Sequence, residues 1–356
     1  MKILMIGCFD LYLHPYYKKY VEIFKKNKID FDFIYWNRSG DLKPNDYSFI
    51  PFNYKMDAVS SKLKKIVGYY KFRLFVNKFI KNDIYDKIIC LTSQTMILVG
   101  DLIKKRYNNN YIFDYRDETY EKHLFYRKKI EKYINSSFNT VFSSPGFSKI
   151  FKNIDKKKVS YNHNDKQFNI KRVNKTESQC IRLCFWGLVR QPEYFKRIFN
   201  VFGNDKRFTI DIYGDGTNKV LQKIIYKNNY RNIFLHGKYD DKNIDEFAKK
   251  TDILLNCYSN KSIQKNALTV KMYDGITYGL PMIVQKNSFM DEYLDYLEVQ
   301  HYSIDFDDKK NNINKNELLL PYKIDLDIQK KCKLKFRNEN YEFEKVILKF
   351  IKGEKL

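Results

Sequence analysis

NALTVKMYDGITYGLPMIVQ, from Asn266 to Gln285, is the stretch whose reading decides the fold. Val270, Met272, Tyr273, Ile276 and Tyr278 recur at helical steps, Gly279 is placed to stop that helix, Pro281 follows, and Met282 to Val284 read as a buried strand. Lys271 and Asp274 then stand one turn apart at the mouth of the helix. A helix N-terminus carries partial positive charge and unpaired N–H groups, so a diphosphate can rest there beside Lys271. Asp274 can accept hydrogen bonds from two vicinal hydroxyls. The plainer alternative is an exposed Lys/Asp pair on a buried helix.

Upstream, IRLCFWG (181–187), FTIDIYGDG (208–216), NIFLHGKY (232–239) and DILLNCY (252–258) are further buried strands with helices between them. The first part of the chain repeats the alternation: KILMIGCF (2–9), a helix from His14 to Lys26, FDFIYW (31–36), KIICLTS (87–93), a helix from Gln94 to Arg106, YIFDY (111–115) and TVFSSPG (140–146). Strand and helix in alternation, with continuous apolar strands, specify parallel sheets. Between Lys156 and Gln179 the pattern weakens to polar residues around the short VSYNHN, which places a linker there. The expectation is two doubly wound domains, 1–165 and 176–326, with the basic segment 327–356 a helix that packs back onto the first domain. Asn311 to Asn316 is a polar surface loop.

These elements together resemble GT-B glycosyltransferases, in particular the family 4-like enzymes of bacterial capsule and exopolysaccharide biosynthesis. The resemblance covers nearly the whole chain. It implies two Rossmann-like doubly wound parallel-sheet domains facing a central cleft, and transfer of a sugar from a UDP- or GDP-linked donor to a glycan acceptor, lipid-linked in such pathways. In the family two glutamates are separated by seven residues and the second holds the donor ribose. The matching positions are Asn266, which lacks the charge aimed at the donor sugar, and Asp274, which keeps a shorter carboxylate; a subgroup carries a Lys before the second acid, as VKMYDGITYGLP does. Thr269, Val270 and Lys271 then belong to the donor site.

FWGLVRQPEYF (185–195) is a strand, a glycine turn and a helix start, where backbone approaches a phosphate closely. Gly187 and Arg190 are its donor-site candidates; a plain turn glycine and a solvated cation are the alternative. In the resembling family the loop of HGKYDD (236–241) meets the donor's base, which makes Gly237, Lys238 and Tyr239 candidates beside a simple strand-to-helix turn. YGDG (213–216) reads as a structural turn. For general base, Asp117 follows the strand FDY, and ligands in doubly wound sheets bind outside the carboxyl ends of strands. Arg116 paired with Asp114 or Glu118 is the competing reading of that cluster. His163 in YNHN and His14 in LYLHPYY are further candidates, and closure at a hinge would bring Asp117 or His163 to the reacting hydroxyl. A transfer that retains anomeric configuration requires no such base.

The chain of 356 residues is comfortable for two domains, and 44% hydrophobic residues permit proper cores. A formal charge of +24 calls for an anionic partner: phosphorylated substrate, lipid or nucleic acid. Abundant Asn, Lys, Ile and Tyr together reflect AT-rich codons in part, so 30 tyrosines and 28 phenylalanines do not by themselves argue base stacking. Six scattered cysteines without zinc spacing read as reduced thiols of a cytoplasmic protein, Met1 to Asp10 is expected to be a short strand rather than a secretory signal, and no run approaches the roughly 18 apolar residues of a membrane span. The acid pairs Asp30/Asp32, Asp305/Asp307 and Asp325/Asp327 lie outside the context of a metal-dependent transferase, so no metal and no cofactor are expected. SSKLKKIVGYYKFRLFVNKFIK (60–81) carries two apolar stripes, Leu63/Val67/Tyr70/Leu74 and Tyr69/Phe72/Val76/Phe79, with cations between them. One stripe covers the sheet, and the other is expected at an anionic membrane surface, with a second cationic helix at 122–132. The partners expected are therefore a nucleotide sugar, a glycan acceptor and the inner face of the membrane, with no nucleic acid. The rivals are a nucleotide-sugar epimerase of the same fold and a non-catalytic basic protein that binds membrane or nucleic acid.

Overall fold

The computed structural model describes residues 1–40, 48–57, 60–82, 84–161, 170–171, 180–308 and 313–356. They form two compact units, Met1–Asn162 with Glu339–Leu356, and His163–Asn338. The strands of the first unit are β1 (Lys2–Gly7), β2 (Asp30–Asn37), β3 (Phe49–Asn53), β4 (Lys87–Leu91), β5 (Tyr111–Tyr115), β6 (Asn139–Phe142) and β7 (Val159–Tyr161). Its helices are α1 (Tyr17–Lys26), α2 (Lys62–Lys81), α3 (Ser93–Tyr107), α4 (Leu124–Ser136) and α5 (Pro145–Lys149). The second unit holds β8 (Ile181–Trp186), β9 (Phe208–Tyr213), β10 (Ile233–Gly237), β11 (Ile253–Leu255), β12 (Met282–Gln285) and β13 (Tyr302–Ile304). Between them run α6 (Pro192–Phe202), α7 (Asn218–Lys227), α8 (Ile244–Lys250), α9 (Val270–Tyr278) and α10 (Phe289–Tyr296). The last helix, α11 (Leu326–Lys352), belongs to the second unit as far as Asn338 and to the first from Glu339.

The first sheet has the order β3-β2-β1-β4-β5-β6-β7, and every pairing is parallel. Side chains alternate across a pleated strand, so a strand covered on both faces must be apolar throughout. Ile3, Met5, Phe33, Ile89 and Ile112 form one core with Tyr20 and Phe24 of α1 and Phe343, Ile347 and Phe350 of α11. On the other side α2, α3 and α4 lie side by side and bury Phe72, Val76, Met96, Ile103, Ile130 and Ile134.

The second sheet, β10-β9-β8-β11-β12-β13, is also parallel throughout. One face packs Leu183, Phe185 and Ile210 on Phe195, Phe199 and Leu221 of α6 and α7. The other packs Leu254, Met282 and Val284 on Met272, Ile276, Leu294 and Phe336. Both units are thus doubly wound, and the fold is the two-domain parallel-sheet plan the sequence predicts.

Two strands escape a reading by apolar runs, and both are edge strands. β3 contains Pro51, which an interior strand would not tolerate because proline donates no ladder hydrogen bond. β13 is three residues, one of them exposed. VSY of the expected linker is β7, the opposite edge of the first sheet.

Candidate functional site

In each sheet the strand order reverses at one point, between β1 and β4 in the first unit and between β8 and β11 in the second. The loops leaving the two strands diverge there and open a crevice, the usual ligand site of doubly wound sheets. In the second unit that crevice is lined by Gly187 after β8, by Asn256 and Tyr258 after β11, and by the first turn of α9.

Gly187 has φ +128°, a conformation L side chains rarely adopt, and its N–H donates to the Tyr213 carbonyl at 3.0 Å. A Cβ there would stand 3.3 Å from the Lys271 ammonium. Lys271 is buried, donates to the Tyr258 hydroxyl at 2.6 Å and lies 4.3 Å from the Phe185 ring centroid. Among the described residues no carboxylate comes within ion-pair distance of it, so two aromatic faces and a hydroxyl carry a buried cation. Thr269 is the N-cap of α9, but its hydroxyl donates to Asn256 Oδ1 at 2.7 Å instead of capping the helix. The first turn of α9 therefore has no side-chain cap, and the Met272 N–H donates to the Thr269 carbonyl at 3.0 Å.

Asp274 sits one turn further along α9 and is 2% exposed. Its Oδ2 accepts the Trp186 indole N–H at 2.8 Å. Burial raises its carboxyl to about 6, against the lowering effects of Trp186 and Lys271, and Asp241 adds to the rise. Tyr239 is half-buried against Phe247, and burial raises its hydroxyl to about 12 with contributions from Asp241, Asp274 and Tyr258. The site thus holds a cation, a carboxylate poised near neutrality and uncapped helix N–H groups, which together fit a phosphorylated diol.

The glycine turn at 213–216 serves this loop. The Gly214 N–H donates to the Gly237 carbonyl at 2.7 Å, and a Cβ on Gly214 would fall 1.8 Å from the Gly187 carbonyl oxygen. Gly237 has φ +74°. Gln191, also left-handed at φ 55°, ties the β8 loop to the loop before α9 through Gln264 at 2.9 Å. Arg190, Lys238 and Val270 are exposed, and Asn266 closes the turn Ile263–Asn266 half-buried. Of the donor residues expected from sequence, Gly187, Thr269, Lys271, Asp274 and Tyr239 converge in the buried and half-buried lining of the crevice, and Arg190, Lys238 and Val270 are solvent-exposed. Trp186, Tyr258 and Asn256 hold Asp274, Lys271 and Thr269 in place, contacts that no motif in the sequence announces. Their signal was position: all three lie at the carboxyl ends of β8 and β11.

In the first unit Arg116 pairs with the fully buried Asp114, with one of its two bonds at 2.7 Å from Nη2, and lies 4.0 Å over the Tyr16 ring. Tyr20 also donates to Asp114, at 2.6 Å. This buried cluster leaves Asp117 as the exposed carboxylate next after β5. Glu121 is buried, and burial raises its carboxyl. His14 is fully buried, its Nδ1 2.8 Å from the Tyr16 hydroxyl, and burial with Arg38 and Arg116 lowers its pKa to about 3. The imidazole is therefore neutral at physiological pH and buried inside the first unit. His163 lies outside the described residues. Of the acid pairs, Asp32 bonds Lys2 and Tyr85, Asp305 and Asp307 bond Gln285, Arg197 and Ser259, and Asp325 accepts from the first turn of α11, while Asp30 is exposed.

No family model and no curated protein matches the chain. Solved structures do. The chain is similar to the sucrose-phosphate synthase of Thermosynechococcus elongatus, at 8% identity and TM-score 0.72, covering 99% of this chain and 100% of that one. It is similar to Anabaena HepE in complex with UDP and glucose, at 11% identity and TM-score 0.60 over 98% and 99% of the two chains. A third is WaaG, a glycosyltransferase involved in lipopolysaccharide biosynthesis, at 10% identity and TM-score 0.55 over 97% and 94%. The fold is that of the GT-B glycosyltransferases, as the motif resemblance implies.

Proposed function

We propose that the protein is a glycosyltransferase that moves a hexose-type sugar from a nucleoside diphosphate sugar, UDP- or GDP-linked, to a glycan acceptor. The reading is carried by one observation: the buried ammonium of Lys271, in the first turn of α9, lies against Gly187, one turn from a buried carboxylate. The acceptor hydroxyl attacks the anomeric carbon, the bond from that carbon to the diphosphate oxygen breaks, and the diphosphate leaves with the bonding pair. Lys271 and the helix N–H groups stabilise the charge that develops on it, without a metal or cofactor. Asp274 accepts the ribose hydroxyls. In an inverting transfer the proton of the acceptor hydroxyl passes to Asp117, or to His163. Arg190, Asn266, Val270, Gly237 and Lys238 complete the donor surface. The sequence resemblance supports a growing, lipid-linked surface polysaccharide as acceptor and a cytoplasmic location.

A UDP-N-acetylglucosamine 2-epimerase also shares the fold, at 12% identity and TM-score 0.58. An epimerase converts soluble donor alone, whereas a transferase releases nucleotide only when acceptor is present.

The donor site is tested by tryptophan fluorescence. Trp36 and Trp186 are the two tryptophans, so Trp36→Phe leaves only the indole bonded to Asp274. Titration with UDP, GDP, ADP and CMP is expected to change emission for one nucleotide, and Asp274→Ala to remove the response. Silence from all four, with no heat of binding by calorimetry in folded protein, overturns the assignment.

A further inference from the structure

α2 is built in three longitudinal sectors. Gly68, Phe72, Val76 and Ile80 are buried, with Phe72 stacked on Trp36 at 5.4 Å and 12° between ring planes. A Cβ on Gly68 would come within 2.9 Å of the same indole, so close contact with Trp36 fixes which face points inward. Outward, Leu63, Ile66, Tyr70 and Leu74 are 71%, 66%, 60% and 45% exposed. Their steps of three and four residues hold them within an arc of about 80°. This differs from the expected stripe at one place: Val67 is half-buried and Ile66 takes its position in the line.

The cations fill the borders. Lys64, Lys71 and Lys78 recur every seventh residue along one side of the outward stripe, and Lys62 and Arg73 lie along the other. Lys71 leans back over the Tyr54 ring at 5.1 Å. No acidic residue occurs anywhere in α2. An aliphatic ridge between two cationic rows, with a tyrosine in the ridge, is the pattern of a helix lying in the plane of a lipid interface, where long basic side chains reach headgroups while the ridge enters the acyl boundary. The topology adds a second point of contact. α2 and α4 belong to one layer of helices, and both begin at the carboxyl edge of the same parallel sheet. At that edge Phe125, 89% exposed, opens α4 beside the exposed Lys122 and Lys128.

We infer that the first unit docks on an anionic bilayer through the Leu63/Ile66/Tyr70/Leu74 ridge of α2, with Phe125 as a second anchor. Charge decides between occupants. A second copy of the chain would set identical cationic rows against each other, and stacking on nucleic acid uses aromatic rings rather than an aliphatic ridge. Among the described residues no helix is long and apolar enough to cross a membrane, so the contact is a surface one. The inference stands on the first unit alone and does not depend on the nucleotide reading of the second.

The test is co-sedimentation of the full chain with phosphatidylcholine vesicles, with and without phosphatidylglycerol, across salt concentrations. Binding is expected only with the anionic lipid and is expected to weaken as salt rises. Each basic residue near an anionic surface contributes about fivefold in affinity, so Lys64→Gln with Arg73→Gln and Lys78→Gln should weaken binding roughly 100-fold. Leu63→Ser with Ile66→Ser and Leu74→Ser should weaken it by about tenfold or more even at low salt. Both triple variants are checked for folding and for the Trp186 response to nucleotide, which neither is expected to change. Binding that survives the ridge variant, absence of binding to anionic vesicles, or a salt-sensitive complex with an acidic protein or nucleic acid through the same residues overturns the proposal.

Discussion

Asp274 and His14 are both buried titratable groups, and burial acts on their charges with opposite consequences. The Asp274 carboxyl is raised from 3.8 to about 6, so the ionised form destabilises the folded state: the cost is full above about pH 6 and is relieved as pH falls towards 4. Asp274→Asn keeps an acceptor for Trp186 and removes that cost. The variant is expected to be more stable than the parent by roughly 1–3 kcal/mol at pH 8 and no more stable at pH 4, read from urea midpoints. It should lose nucleotide binding at the same time, as expected where a function sits on a strained group. In the parent, nucleotide affinity is expected to fall as pH drops below about 6, because a protonated Asp274 accepts hydroxyl protons poorly; affinity unchanged between pH 7 and 5 would remove Asp274 from the site. His14 has its pKa lowered to about 3, so its contribution to stability is present above about 6.5 and is lost as pH falls from there towards 3. At this scale the sequence was informative about residue type and silent about burial. Lys271 and Asp274 were legible as a cation and an acid one turn apart. That both are sealed, one by Phe185 and Tyr258 and the other by Trp186, depends on residues that approach only in the fold.

Among the elements, the turn after β9 and the turn after β8 are fitted to each other. Gly214→Ala would place a methyl 1.8 Å from the Gly187 carbonyl oxygen at φ +153°. It is expected to destabilise the second unit by about 2 kcal/mol or more and to displace the Gly187 loop, weakening nucleotide binding as well. Gly237→Ala has no atom within 4 Å of the new methyl and bears only the conformational cost of φ +74°, about 1 kcal/mol. Denaturant midpoints of the two variants separate these cases. YGDG read alone is an ordinary turn, and its fit to the Gly187 loop is a property of adjacent strands. Interior strands were readable because coverage on both faces forces continuous apolar runs. β3 and β13 were not, because an edge strand needs no such run and β3 accommodates Pro51.

At the scale of the whole molecule each unit has its own buried packing on the faces of its sheet, and α11 contributes to both units: Cys332 and Phe336 to the second, Phe343, Ile347, Phe350 and Ile351 to the first. Thermal unfolding is therefore expected to show two transitions rather than one, and the nucleotide that binds should raise only that of the second unit. Ending the chain after Asn338 removes these four buried side chains from the first unit. It is expected to lower the first transition by more than about 10 °C while leaving nucleotide affinity within twofold. A single transition that shifts as a whole in both experiments would show the units to be one cooperative body. The alternation of apolar strands and helices determined by itself that there are two doubly wound parallel sheets, because burial on both faces is a local, periodic demand on the sequence. Which side chains meet at the crevice was decided only by the tertiary structure. Trp186 and Asp274 are 88 residues apart, and what joins them is the strand order that sets β8 beside β11, a long-range pairing to which local periodicity is blind.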